Sequence, residues 1–178
     1  MNKRPKLDLM KKINYSLLFA LSLAVISFQT GLGQTYSGAT GPVPAVGTSG
    51  NAIYCANVPL TGVIGSNYNI VNVHIADLQH TFDGDLEISL VDPDGNVSHM
   101  LSDNNGGSGD DYINTFFQDG GGDITSASPP FTGTFEPQAG PFGPAFFLAN
   151  VNGDWCLNID DIFGGDSGFL NAWAITFI

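Results

Sequence analysis

One stretch decides the fold, Leu86-Glu87-Ile88-Ser89-Leu90-Val91-Asp92-Pro93-Asp94-Gly95. Its first five residues alternate between apolar and polar side chains, which is the period of a β-strand with one buried face. The last four predict a tight turn, because proline presets φ, aspartate bonds its own backbone and glycine accepts the strained end. The stretch therefore predicts a strand that ends in a sharp reversal.

The same alternation recurs along the chain. It occurs at 71–75, 155–159 and 173–177, and Gly-rich stretches at 104–109, 120–122 and 164–168 mark loops. No segment after Gln34 has a sustained helical period. Short strands with Gly-rich connections predict an all-β protein, an antiparallel β-sandwich.

Charge is distributed unevenly along the chain. All five cations lie in the first twelve residues, whereas sixteen of the seventeen carboxylates come after Lys12. Such a surface cannot neutralise phosphate, which excludes nucleic acid and anionic membranes as partners. Clustered carboxylates in this region lack salt-bridge partners, so they must stay apart in water, share protons or hold a metal cation.

The N-terminus has the pattern of an export signal. A basic segment precedes the apolar run 13–28, and Gly31-Leu32-Gly33 is typical of a processing site. We therefore expect a signal peptide at 1–33, a flexible Gly/Pro/Ser-rich lead-in at 34–53 and one domain at 54–178. The alternative for the first segment is an uncleaved anchor.

Cysteine usage fits an exported chain. Cys55 and Cys156 are the only cysteines, and an even pair outside the cytoplasm predicts a disulfide. Two buried free thiols are the alternative.

A set of ordered motifs then resembles a known family. His80-Thr81-Phe82-Asp83-Gly84-Asp85-Leu86, with the turn at 92–95, resembles the first signature of the P domain (P/Homo B domain). Similar blocks follow in the family's order at 102–110, 114–119, 130–137, 152–157, 160–161 and 166–173. The resemblance implies a jelly-roll sandwich of the kind attached to subtilisin-like proprotein convertases and found in secreted bacterial proteins. Trp155 and Trp173 are expected in its core, with ligand stacking as the alternative.

Oxygen donors on the Gly-rich loops predict a calcium site. Calcium takes six to eight oxygens, including the backbone carbonyls that such loops expose. The candidate ligands are Asp85, Asp103, Asn105, Asp110, Asp111 and Asp119. The resemblance also implies structural calcium, whereas the alternative is a set of solvated acids.

Enzyme interpretations find little support in the sequence. Gly47-Thr48-Ser49-Gly50 is similar to the surroundings of a subtilisin-type nucleophile, but no segment precedes it that could supply the Asp and His of a triad. The carboxylates of Asp83 and Asp85 invite a glycosidase interpretation, although paired acids in a Gly-rich turn also suit a cation. We expect His80 to fix local structure through ring hydrogen bonds.

The sequence thus predicts a bacterial, secreted or periplasmic, noncatalytic P-domain module. It would act beside a protein partner such as a serine protease, as a folding, stabilising or docking unit. The alternative is a free-standing, calcium-dependent module that binds a surface glycan or protein.

Overall fold

The computed structural model describes residues 31–44 and 46–178. Ten strands carry the fold: β1 (Gln34–Ser37), β2 (Gly41–Val43), β3 (Gly50–Val58), β4 (Ile70–His80), β5 (Leu86–Val91), β6 (Ser98–Asp103), β7 (Tyr112–Asp123), β8 (Phe131–Glu136), β9 (Gly153–Asp161) and β10 (Gly168–Phe177). Two 3-10 turns, Asp83–Asp85 and Ile124–Ser126, and one short helix, α1 (Phe142–Ala145), lie between them. The predicted all-β sandwich is confirmed.

The strands form two sheets. The six-stranded sheet has the order β1-β10-β4-β7-β8, and β2 also pairs with β10. The four-stranded sheet has the order β3-β9-β5-β6. All the pairs are antiparallel except β7 with β8. Consecutive strands such as β4 and β5 belong to different sheets, so the connections between them cross the ends of the sandwich.

Alternating side chains of both sheets fill the core. In β9 the side chains of Trp155, Leu157 and Ile159 are fully buried, and in β10 those of Ile175 and Phe177 are too. Trp173 is 2% exposed, so both tryptophans are buried as the sequence predicts. Each indole also has a hydrogen-bond partner, as buried tryptophans usually do.

The lead-in differs from its expected flexibility. Residues 34–37 and 41–43 are strands that pair with β10, and Val43 is fully buried. Trp173 explains the order, because its Nε1–H donates to the Ala39 carbonyl at 2.9 Å. Gly38 lies so close to the indole ring that a Cβ would collide with it. Small residues at 38 and 39 let the lead-in pack closely against Trp173. Composition alone does not predict this contact.

The disulfide between Cys55 and Cys156 is present. The two residues are direct register partners on β3 and β9, so the bond ties neighbouring strands of one sheet rather than the two sheets. Residues 1–30, which hold most of the expected signal peptide, lie outside the described residues. Among the described residues, no helix has the length and apolar character to span a bilayer.

Candidate metal centre

Strand register brings acidic residues and one histidine to a single end of the sandwich. His80, the last residue of β4, pairs with Gly168 at the start of β10. Asp161, the last residue of β9, pairs with Leu86 at the start of β5. The Asp83–Asp85 turn joins β4 to β5, and the loop carrying Asp166 joins β9 to β10. Residues far apart in sequence therefore meet where the chain passes between the sheets.

His80, Asp161 and Asp166 form what we call the His80 cluster. One ligand atom from each lies within 4.8 Å of the others, and within residues 31–44 and 46–178 this is the only such group of three or more His, Cys, Asp or Glu. His80 is 1% exposed and Asp161 is fully buried. His80 Nε2 lies 3.4 Å from Asp161 Oδ2, and neither buried atom has a hydrogen-bond partner. Two buried polar atoms thus face each other within ion-pair distance but without a hydrogen bond.

The other ring nitrogen of His80 contacts the backbone. Nδ1 lies 3.1 Å from the Phe82 carbonyl oxygen, and the Phe82 N–H donates to Nδ1 at 3.3 Å in the tautomer that leaves this nitrogen unprotonated. In the tautomer that donates Nδ1–H to the carbonyl, Nε2 carries a free lone pair directed toward Asp161. A backbone carbonyl on one ring nitrogen is the usual way to orient the other for a metal.

Burial and like charges act on the carboxylates at this end. Burial raises the pKa of Asp161, and His80 opposes that shift. Burial also raises the pKa of Asp85, and the negative charge of Asp166 raises it further. Because no Lys or Arg follows Lys12, the chain beyond that residue supplies only histidine as a counter-charge. Such crowded acids favour a bound cation or a retained proton.

Asp83, Asp110 and Asp111 form a second group, the Asp83 cluster. Asp83 is fully buried; its Oδ1 accepts the Asp111 N–H at 3.1 Å, whereas its Oδ2 has no partner. Burial raises the pKa of Asp83 to about 7, and the charges of Asp111 and Asp110 add to the shift although the Asp111 N–H opposes it. Asp111 Oδ1 also accepts the His80 N–H at 3.0 Å, so the two clusters are adjacent.

A glycine-rich loop encloses the Asp83 cluster. The N–H groups of Asp83 and Gly84 donate to the carbonyls of Gly109 and Gly107, each at 2.9 Å. An open cavity of about 350 Å³ lies beside both clusters and is lined by Gln79, His80, Thr81, Asp110, Asp111, Ser167, Gly168 and Phe169. The cavity thus opens beside one member of the His80 cluster and two members of the Asp83 cluster.

Comparison with known families fits this architecture. The family model described as the proprotein convertase P-domain matches residues 70–177, which hold every strand from β4 to β10 as well as both clusters. The chain belongs to this family. The resemblance inferred from the ordered motifs is therefore confirmed.

Two curated relatives of this P domain are Streptomyces proteins. The chain is 28% identical over 120 residues to leupeptin-inactivating enzyme 1 of Streptomyces exfoliatus, covering 67% of this chain and 21% of the relative. It is 28% identical over 101 residues to a transglutaminase-activating metalloprotease of Streptomyces mobaraensis, covering 57% of this chain and 10% of the relative. The P-domain chain thus spans about a fifth or less of these relatives.

The six calcium ligands predicted from sequence occupy several places in the P domain. Asp110 and Asp111 belong to the Asp83 cluster, and Asp85 lies close enough to His80 and Asp166 to interact with their charges. Asn105 donates its side-chain N–H to Ser102 and Gln138, and the Asp103 N–H donates to the same Gln138 oxygen. Asp119 lies beside α1. None of the six belongs to the His80 cluster, and their role as calcium ligands stays a prediction.

Asp119 supplies a hydrogen bond to the start of α1. Its Oδ1 accepts the Phe142 N–H at 2.7 Å. We expect Asp119→Ala to lower the free energy of unfolding in calcium-free buffer by about 1 kcal/mol, as loss of a helix cap does. Chemical denaturation in calcium-free and calcium-containing buffer measures this, with Asp119→Asn as the control that keeps the acceptor. A larger loss in calcium would identify Asp119 as a ligand.

The raised pKa of Asp83 makes stability depend on pH. A carboxyl whose pKa is raised by folding binds its proton more tightly in the folded chain, so the free energy of unfolding falls as pH rises from about 4 to about 7. In metal-free buffer at about pH 8, Asp83→Asn should therefore be more stable than the native chain by on the order of 2 kcal/mol, after allowance for solvent screening.

Urea denaturation at several pH values checks the Asp83 prediction. The two proteins should converge below about pH 3, where the native carboxyl is protonated in both the folded and the unfolded states. Asp94→Asn, in the exposed β5–β6 turn, is the matched control and should show no such divergence. Equal stability of Asp83→Asn and the native chain at pH 8 would contradict the raised pKa of Asp83.

Each histidine of this P domain contacts groups other than a hydroxyl nucleophile. The His74 ring stacks on Phe116 with 3.9 Å between centroids. His99 Nε2 lies 2.8 Å from the Gly140 carbonyl, and His80 faces Asp161. Among the described residues no Ser, Thr or Cys side chain is hydrogen-bonded to a histidine ring, which is the pairing that an activated nucleophile uses.

The six calcium ligands predicted from sequence do not include Asp161, Asp166 or Asp83, although the turn that holds Asp83 and Asp85 was considered for a cation, and His80 was assigned to local structure. All four lie inside the motifs that carry the family resemblance. Their positions in the sequence were the available indication, because each of the four residues stands at a strand end or in the adjoining turn. Knowing that β5 pairs with β9 and β4 with β10 would have brought them together.

Proposed function

We propose that this P domain is an exported, noncatalytic module that acts beside a protease as a folding, stabilising or docking unit. The family match carries the proposal, because it covers seven of the ten strands, β4 to β10, and because one relative that aligns with 57% of this chain is named as a metalloprotease. The disulfide supports a location outside the cytoplasm, secreted or periplasmic. The partner protease can belong to the serine or the metal-dependent class.

Protease assays test the accessory role in two steps. The purified, oxidised chain should leave casein intact over prolonged incubation. When it is added to an exported protease encoded beside it, the half-life of that protease at elevated temperature should lengthen, whereas the reduced and unfolded chain should have no effect. Casein turnover by the purified chain would contradict the noncatalytic role, and an unchanged half-life would contradict the accessory role.

A surface glycan is the other partner predicted from sequence. Binding of the folded chain to immobilised polysaccharide, together with no effect on a protease, would replace the accessory role with an adhesive one.

We further propose calcium as the ion of the Asp83 cluster. The support is its all-oxygen chemistry: the buried Asp83 Oδ2 has no partner, and the carboxylates of Asp110 and Asp111 lie nearby. Calcium selects oxygen ligands of this kind. A bound divalent cation would let Asp83 ionise inside the fold, which burial otherwise opposes.

Calorimetric melting tests the calcium proposal. Calcium at about a hundred times its dissociation constant should stabilise the chelator-treated protein by about 2.7 kcal/mol and raise its Tm by roughly 5 to 10 °C. Asp83→Asn should lose most of this gain, whereas the control Asp94→Asn should keep it. An unchanged Tm of the native chain in saturating calcium would contradict the proposal.

A further inference from the structure

We propose that His80, Asp161 and Asp166 form a second metal site that takes a divalent transition-metal ion of the zinc class and ties the two sheets together. The proposal rests on the geometry of the His80 cluster and is independent of the accessory role.

The unsatisfied atoms of the cluster are the first argument. His80 Nε2 and Asp161 Oδ2 are both buried and lack hydrogen-bond partners. A charge-assisted N–H···O bond between them would be about 2.7 to 2.9 Å long, whereas their separation is 3.4 Å. Buried polar atoms without partners are costly, and an ion between these two would satisfy both.

The separation itself suits a shared ion. Two ligands bound tetrahedrally to zinc at about 2.1 Å lie about 3.4 Å apart, which is the distance between Nε2 and Oδ2. The third ligand atom, on Asp166, lies within 4.8 Å of both. Calcium, with its longer bonds, could also bridge such a distance. The preferred ion therefore follows from the chemistry of the ligand atoms and not from their separation.

The imidazole of His80 favours a metal ion of the zinc class over calcium. Calcium takes oxygen ligands, whereas imidazole nitrogen suits zinc, copper, iron and nickel. The Phe82 carbonyl accepts from Nδ1–H in the tautomer that leaves Nε2 free to bind the ion. Two carboxylates neutralise a divalent charge. The neighbouring Asp83 cluster has no nitrogen donor, so the two adjacent sites differ in the ion that they prefer.

The location of the site gives it a structural role. His80 belongs to β4 in the six-stranded sheet, and Asp161 belongs to β9 in the four-stranded sheet. The Cys55–Cys156 bond joins two strands of one sheet, so it does not supply this connection. A metal held by His80 and Asp161 would restrain the sheets relative to each other at the end where β4 and β9 finish.

Metal titration of the stripped, folded chain tests the site. Calorimetry with Zn²⁺ and native mass spectrometry should show one tightly bound equivalent, and Co²⁺ should give a visible absorption spectrum of a nitrogen and oxygen site. The NMR signal of His80 Nε2 should shift on addition of Zn²⁺. Asp166→Asn and Asp161→Asn should weaken binding by at least about tenfold.

Matched variants separate the possible outcomes. Asp160→Asn, one residue before Asp161 on β9, should bind Zn²⁺ like the native chain. Asp166 lies in a partly exposed loop, so its variant should fold even if Asp161→Asn does not. Equal Zn²⁺ affinity of Asp166→Asn and Asp160→Asn would overturn the proposal. Absence of Zn²⁺ binding to the folded native chain would also overturn it and leave a metal-free His80–Asp161 pair.

Discussion

Replacing Trp155 by Ala is expected to lower the free energy of unfolding by about 3 to 5 kcal/mol, the range for deleting a large aromatic side chain from a core. Trp155 is fully buried, and its ring centroid lies 5.2 Å from that of Phe146 and 5.5 Å from that of Phe177. Phe177 belongs to β10, so Trp155 joins the cores of both sheets. Its Nε1–H also donates to the Val151 carbonyl at 3.0 Å.

Denaturant unfolding of three variants measures the contribution of Trp155. Trp155→Phe should lose less than Trp155→Ala, because it keeps most of the apolar area but leaves the Val151 carbonyl without its donor. Phe163→Ala, at a side chain that is 60% exposed, is the matched control and should change stability by less than about 0.5 kcal/mol. A loss below about 1 kcal/mol for Trp155→Ala would show that the core does not depend on this residue.

Removing the disulfide is expected to cost about 4 kcal/mol. Cys55 and Cys156 are 101 residues apart, and closing a loop of about that length restricts the unfolded chain by an amount near the top of the usual range. The paired change Cys55→Ser with Cys156→Ser should therefore unfold at a much lower guanidinium concentration than the oxidised native chain.

A reductant supplies the control for the disulfide. It should lower the unfolding midpoint of the native chain toward that of the double variant and leave the variant itself unchanged. If the oxidised and reduced native chains unfold at the same guanidinium concentration, the bond contributes nothing to stability.

The sequence predicts strands well where one face is buried. The alternation at Leu86, Ile88 and Leu90 and at Trp155, Leu157 and Ile159 lies within β5 and β9, and these side chains are fully buried. Period two follows directly from the geometry of a half-buried strand, so no tertiary knowledge is needed. The same pattern does not predict β1 and β2. The lead-in is held by contacts of Gly38 and Ala39 with Trp173, a residue more than 130 positions away.

The clusters depend on strand register, which local pattern does not encode. The sequence shows that Asp161 follows a buried strand, but not that β9 pairs with β5 beside the Asp83–Asp85 turn. The charge imbalance predicts bound cations, because acids without Lys or Arg need an external counter-charge, and this stays a prediction. It did not indicate which acids are buried. Asp83, Asp92 and Asp161 are buried, and of these only Asp83 and Asp161 have a carboxylate oxygen without a hydrogen-bond partner among the described residues, whereas Asp103 and Asp119 are exposed.

The central claim is that this P domain recruits divalent cations as the counter-ions of its buried carboxylates. The most direct measurement is native mass spectrometry of the folded domain purified without chelator, followed by calorimetric melting before and after chelation. We expect a mass that exceeds that of the polypeptide by bound divalent metal, and a Tm that falls when the metal is removed. A metal-free mass together with a Tm that chelation leaves unchanged would contradict it.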